Sequence, residues 1–191
     1  PKVVGELKLL GYSAYLHPIS DDLLLGVGVD ATTEGRRLGT QLSLFDVSDL
    51  HNPVRRAQAS LGTNSSTTAE FDPHAFLYWD PTRLAVIPLT IYGQDGSQGF
   101  DGAIGFRVGT ASLAEAGRVT HPPVDGSTAT PEIARSLVID DKLYTLSYAG
   151  LGASRLDNLA PLSFAAFPQP PQAQDVGPVP LPASTPSFAP R

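Results

Sequence analysis

The 191-residue sequence contains no cysteine and no methionine. Without cysteine there are no disulfides, no thiol nucleophiles and no sulfur-ligated zinc fingers, while the compartment is left open. Positive charge is sparse: three lysines and ten arginines are scattered against 19 acidic residues, for a net charge of −6. Nucleic-acid binding, which draws on a clustered basic surface, is therefore not expected. No run of about 18 apolar residues occurs, nor a basic-then-apolar leader or a terminal lipidation signal, so no membrane span is expected. Phosphate-binding and dinucleotide glycine motifs are missing too, because the glycines of "LLLGVGVD" run between strand-like segments and do not open a helix. Ser13, Ser43 and Ser136 lack the strand-to-helix context of a nucleophile elbow. No segment holds a convincing helical period.

What is present is the composition of a folded domain, 41% hydrophobic and 17% charged. It changes near Phe167: eight of the 18 prolines follow, in "PQPPQAQDVGPVPLPASTPSFAPR". Residues 1–167 are expected to fold, and residues 168–191 to form a Pro-rich extended tail. The chain opens at Pro1 in mid-pattern, which predicts a processed or truncated polypeptide.

The folded part repeats itself. "SAYLHPISDDLLLGVG" (13–28), "HAFLYWDPTRLAVIPL" (74–89) and "ARSLVIDDKLYTLSYAG" (134–150) each join two short apolar strands through a turn rich in Asp and Pro, and the second strands begin at Leu23, Leu84 and Leu143, 61 and 59 residues apart. A third strand follows in each repeat ("TQLSLFDV", "GAIGFRV", "LGASRL"), then a fourth ("VRRAQASLG", "LAEAGRVTH", "LSFAAF"). Four short strands in about 60 residues is the pattern of a propeller blade, so the fold is expected to be all-β with about three blades. "VVGELKLL" (3–10) reads as the outermost strand of a preceding blade. Propellers close with typically four to eight blades, so closure calls for more blades than these, supplied by an N-terminal fragment or another protein chain.

"GYSAYLHPISDDLLLGVGVDATTEGRRLGTQLSLFDVSDLHNPVRR", "FDPHAFLYW" and "IARSLVIDDKLYTLSYAGLGASRLDNL" resemble the C-terminal half of bacterial and archaeal secreted β-propeller domain proteins. The resemblance covers nearly all of residues 3–160. It implies an extracellular or cell-surface propeller and brings no established reaction.

Two loops carry candidate chemistry. In "GVDATTEGRRLGTQ", Asp30, Thr32 and Glu34 alternate before Gly35, similar to the calcium loops of some relatives. Alternate oxygen ligands with a carbonyl, here of Arg36, could converge on calcium, although Thr32 is neutral and Gln41 stands where an EF-hand has its bidentate Glu. The alternative is a solvated hairpin. In "AEFDPHAFLYWD", period two places Glu70, Asp72 and His74 on one side of an extended chain. Carboxylates beside an imidazole can ligate metal or act as acid and base, and the alternative is a polar rim. If "HAFLYW" is an innermost strand, these three lie at a channel mouth open to water, and Phe76, Leu77 and Trp79 pack inward. His17 and Arg135, on the inner strands of the other repeats, could join them. His51 and His121 are expected in solvated turns, and "QDGSQGFDG" (94–102), with Asp95, Ser97 and Asp101, is expected to be a glycine-rich turn. Two functions follow from this pattern: a scaffold or binding module for protein or glycan, and a hydrolase or lyase using Glu70, Asp72, His74, His17 and Arg135.

Overall fold

The computed structural model describes residues 2–124 and 127–168. The tail expected for residues 168–191 lies, apart from Pro168, outside the described residues. The described chain is all-β, with three antiparallel sheets. The first is a meander of β1 (Tyr12–Pro18), β2 (Leu23–Ala31), β3 (Arg37–Asp46) and β4 (Val54–Ser60). The second comprises β5 (Ser65–Ser66), β6 (Leu77–Trp79), β7 (Leu84–Tyr92), β8 (Gln98–Val108) and β9 (Leu113–Val119). The third is a meander of β10 (Ile133–Ile139), β11 (Lys142–Ser147), β12 (Gly150–Arg155) and β13 (Pro161–Ala166).

The expected turns join these strands, and their polar residues do local work. In "LFDVSD" the Asp46 carboxylate accepts from the Ser48 hydroxyl (2.6 Å) and backbone N–H (2.9 Å), and from Arg56 (2.7 and 3.0 Å). Those bonds, the Ser48 hydroxyl first, pull its pKa down to about 2. The motif thus ends a strand and fixes the turn that follows it.

Packing follows the strand period of two. On β7, Ala85, Ile87 and Leu89 join Leu25, Val27, Leu42 and Leu44 of the first sheet in one core. The alternate residues Leu84 and Val86 face the other way and meet Ile133, Leu143 and Leu159 in a second core. The middle sheet is therefore buried on both faces, which is why "LAVIPL" reads as an unbroken apolar run. On β11 only Leu143, Thr145 and Ser147 are buried, while Lys142, Tyr144 and Leu146 on the alternate face are half-exposed. That side of the third sheet has no neighbouring sheet among the described residues. Residues 3–10, expected to be an outer strand of a preceding blade, join no ladder among the described residues.

The first strand of the middle sheet departs from expectation. It begins at Leu77 and not at His74, and its position along β7 is shared by two pieces. Ser65 and Ser66 pair with Ile91 and Thr90, and Leu77–Trp79 pair with Val86, Ala85 and Leu84. Residues 87–89 of β7, centred on Pro88, have no partner on that side. A proline cannot donate to a ladder, so the gap suits it. Residues 67–76 leave the sheet through this gap as two short 3-10 turns, Thr68–Glu70 and Pro73–Ala75.

Candidate functional site

The 67–76 excursion is held by its own caps and by both flanking sheets. Thr67 Oγ1 accepts from the Ala69 N–H, and Asp72 Oδ1 accepts from the His74 N–H, each capping one 3-10 turn. Ala69 and Ala75 are fully buried and Phe76 nearly so, which wedges the segment into the core between the first two sheets.

The sequence-derived candidates separate into three groups on this frame. Asp72, His74 and Arg135 come together: Asp72 Oδ1 lies 3.1 Å from His74 Nδ1, and Arg135 Nη2 donates to Asp72 Oδ2 at 2.6 Å. The His74 backbone N–H, its ring and the Arg135 guanidinium hold the Asp72 carboxyl below its usual range against the opposing effect of burial. His74 presents 87% of its side chain to water. Glu70 turns the other way, toward Tyr12 (3.5 Å) and Arg37 (3.4 Å) of the first sheet, with 2% of its side chain exposed. The expectation that Glu70 is open to water is corrected: the helical turn at Thr68–Glu70 breaks the extended alternation that would have aligned it with Asp72 and His74. Burial raises the Glu70 pKa, opposed by the Arg37 charge. His17 belongs to a third group. Its Nδ1 is 3.1 Å from the Tyr15 hydroxyl, and its ring packs tilted against Phe76 and Tyr78, with centroids 4.9 and 5.5 Å apart; burial lowers its pKa.

Two residues that sequence reasoning passed over matter here. Phe71, between buried Glu70 and capped Asp72, is 81% exposed. Thr68 Oγ1 donates to Glu132 Oε1 at 2.8 Å, giving the excursion a second tie to the third sheet beside Asp72–Arg135. Pro88 was the legible warning, since a proline amid an apolar strand marks an interrupted ladder.

The proposed metal residues sit at the same end of the strands, Asp30 near the end of β2 and Thr32 and Glu34 in the β2–β3 turn. Asp30 Oδ1 accepts from the Ala31 N–H (2.9 Å), and its Oδ2 from the Gln58 amide (3.3 Å). Glu34 Oε1 accepts from Thr33 (2.7 Å), and the Thr32 hydroxyl from the Arg36 N–H (3.3 Å). The two carboxylates are thus directed to different partners. Asp95 caps the Ser97 N–H and hydroxyl in a turn, as expected of "QDGSQGFDG". Asp101 is instead buried on β8, bonded to Gln98 and Thr90, its pKa raised by burial and then by Glu132.

His121 corrects another expectation. It is 3% exposed, with Nδ1 2.7 Å from Ser147 Oγ, Nε2 2.8 Å from Thr145 Oγ1, and Phe164 edge-on at 4.9 Å. The prolines after it carry the chain away while the imidazole turns under the third sheet, where Gly152 leaves room for it: a Cβ there would lie 2.8 Å from Nε2.

Among the described residues no helix is long and apolar enough to cross a membrane. An uncharacterized protein of Methanocaldococcus jannaschii is 41% identical over 88 residues, 46% of this chain and 13% of that protein. An uncharacterized protein of Archaeoglobus fulgidus is 40% identical over 96 residues, 50% of this chain and 14% of that protein. The chain therefore matches only a small part of the length of these relatives. Residues 1–159 match the family described as Beta propeller domain. With three sheets of four-strand design packed face to face, the chain belongs to the β-propeller domain family.

Proposed function

We propose that this chain is an arc of a β-propeller that serves as a scaffold or binding module, completed by further blades from an N-terminal fragment or another protein chain, with its ligand surface at the strand ends that carry residues 67–76. The observation that carries this reading is that the outer faces of the first and third sheets meet no further sheet among the described residues. On the third sheet, Tyr144 and Leu146 are half-exposed beside Leu137 and Ile139. On the first, Leu16, Leu24, Phe45 and Val47 line a cleft of about 640 Å³ together with Leu7 and Leu9 of the unpaired N-terminal segment. Apolar faces of this extent call for a covering layer. On this reading residues 3–10, which join no ladder among the described residues, are the outer strand of a preceding blade.

At the ligand rim, Phe71 stands exposed on a segment fixed to both neighbouring sheets, with His74, Asp72 and Arg135 beside it in sequence or bonded to it through the excursion. A pre-ordered aromatic flanked by oriented donors and acceptors suits a protein or glycan ligand, because little ordering entropy is left to lose on binding. A hydrolase or lyase would need the five candidates to face one cavity, and their hydrogen bonds divide them. Calcium at the β2–β3 turn would have to draw Asp30 from Gln58 and Glu34 from Thr33; a rise in melting temperature on adding calcium, abolished by Asp30→Asn, would establish it. The extracellular or cell-surface location belongs to this proposal and is tested by fractionating cells that produce the protein.

The deciding experiment screens the assembled protein against immobilised glycans and surface proteins. Phe71→Ala and His74→Ala are expected to weaken whatever binds without lowering the melting temperature. Binding that survives both substitutions overturns the assignment of this rim.

A further inference from the structure

We infer that the cleft between the second and third sheets, at the strand ends opposite residues 67–76, is a binding site for a small organic oxyanion, a carboxylate or phosphate ester. The cleft measures about 660 Å³, within the size range of small-molecule sites, and is formed by turns of both sheets. Three cations line it, Arg107, Lys142 and Arg155, against two carboxylates, Asp141 and Asp157. It is therefore a locally positive spot on a chain whose net charge is −6.

Arg107 is the centre of the argument. Its Nη1 donates to the Thr82 carbonyl (2.9 Å) and its Nη2 to the carbonyls of Leu156 and Asp157 (3.0 Å to the latter). These bonds fix the guanidinium across the junction of the two sheets but give it no carboxylate. Of its five N–H donors, the Nε–H and one Nη1–H have no partner among the described residues. A guanidinium that is oriented and electrically uncompensated is the fork that recognises a planar or tetrahedral oxyanion.

The other two cations are held only locally. Lys142 bonds to Asp141 at 2.7 Å and Arg155 to Asp157 at 3.0 and 3.1 Å, all on substantially exposed side chains. Pairs of this kind contribute little and exchange readily, so an incoming anion can recruit either cation. Leu156 and Leu162 supply an apolar wall, which favours an organic acid over a bare inorganic ion. The site is remote from the rim proposed above and stands independently of it.

The test is calorimetric titration of the full chain, in the assembly it forms in solution, with succinate, glycerol 3-phosphate and inorganic phosphate at low salt. Saturable binding of one organic acid, tighter than phosphate and weakened by added sodium chloride, is the expected result, and succinate against glycerol 3-phosphate identifies the preferred headgroup. Lys142→Glu, at the half-exposed first residue of β11, should lower affinity about tenfold or more by removing a charge-assisted contact while leaving the melting temperature unchanged. Arg107→Lys keeps the charge and loses the fork, and should lower it further. No saturable binding by any of the three, or an affinity indifferent to both substitutions, overturns the assignment.

Discussion

His121 shows how a single side chain can couple this fold to pH. The face of the third sheet turned toward it presents Thr145, Ser147, Gly152, Ser154 and Phe164, with Ser136 and Val138 from β10, and no titratable group. Across the sheet junction, burial and then the charge of Glu132 raise the pKa of Asp101, whereas His121 is perturbed by burial alone, which lowers its pKa from 6.5. The unfolded chain therefore binds this proton more readily than the folded one. Stability is fully present above pH 6.5 and is lost as pH falls from there toward the lowered folded value. Glu70, whose folded pKa is raised above 4.5, acts in the opposite sense, stabilising the fold on acidification. Chemical denaturation of wild type and His121→Gln across pH 5 to 7 separates the two: the variant should lose much of the decline on the acid side, with His17 supplying the remainder, since burial lowers its pKa as well. A second expectation concerns Gly152. Its missing Cβ would lie 2.8 Å from His121 Nε2 and 3.0 Å from Thr145 Oγ1, so Gly152→Ala should unseat the imidazole and lower the melting temperature.

The element that most repays mutation is the 67–76 excursion with the short strand it leads into. Phe76 packs with Tyr15 and His17 of β1 at 5.2 and 4.9 Å, so Phe76→Ala should cost about 3 kcal/mol or more by removing apolar burial and leaving a cavity. His74→Ala, at a side chain almost wholly in water, should leave thermal unfolding unchanged. The Asp72–Arg135 pair is short but both partners are about a third or more exposed, and a double-mutant cycle should give a coupling of no more than about 1 kcal/mol. Its worth lies in orientation. The strands were legible because each Asp- and Pro-rich turn sits between β-branched and leucine-rich runs: Leu23 and Leu84 begin second strands as their spacing implied, and Leu143 is the second residue of β11, which begins at Lys142. The excursion was not legible, because "AEFDPHAF" has the alternation of a strand while Thr67 and Asp72 supply caps that make helical turns more favourable. Nor was the burial of His121, which depends on hydroxyls some 24 to 26 residues further along the chain.

At the scale of the whole molecule, the ring completion proposed above makes an expectation for behaviour in solution. Expressed without other blades, the 191 residues should either self-associate or unfold without a sharp cooperative transition; light scattering and calorimetry check this, and a stable monomer with a single steep transition would refute ring completion by further blades. The ends are also chemically unlike: β11 offers leucine and tyrosine on one side, whereas on the other Gly26, Gly28, Gln41, Ser43 and Phe45 are buried and Leu16 and Leu24 line a cleft with Leu7 and Leu9 of the N-terminal segment. A stack with dissimilar ends joins head to tail, and such joining closes only if its rotation returns to the start. Where the complementary blades run short, the same surfaces that finish a ring would instead propagate an open filament, so production of this arc in excess should yield fibres whose growth is suppressed by supplying the missing blades.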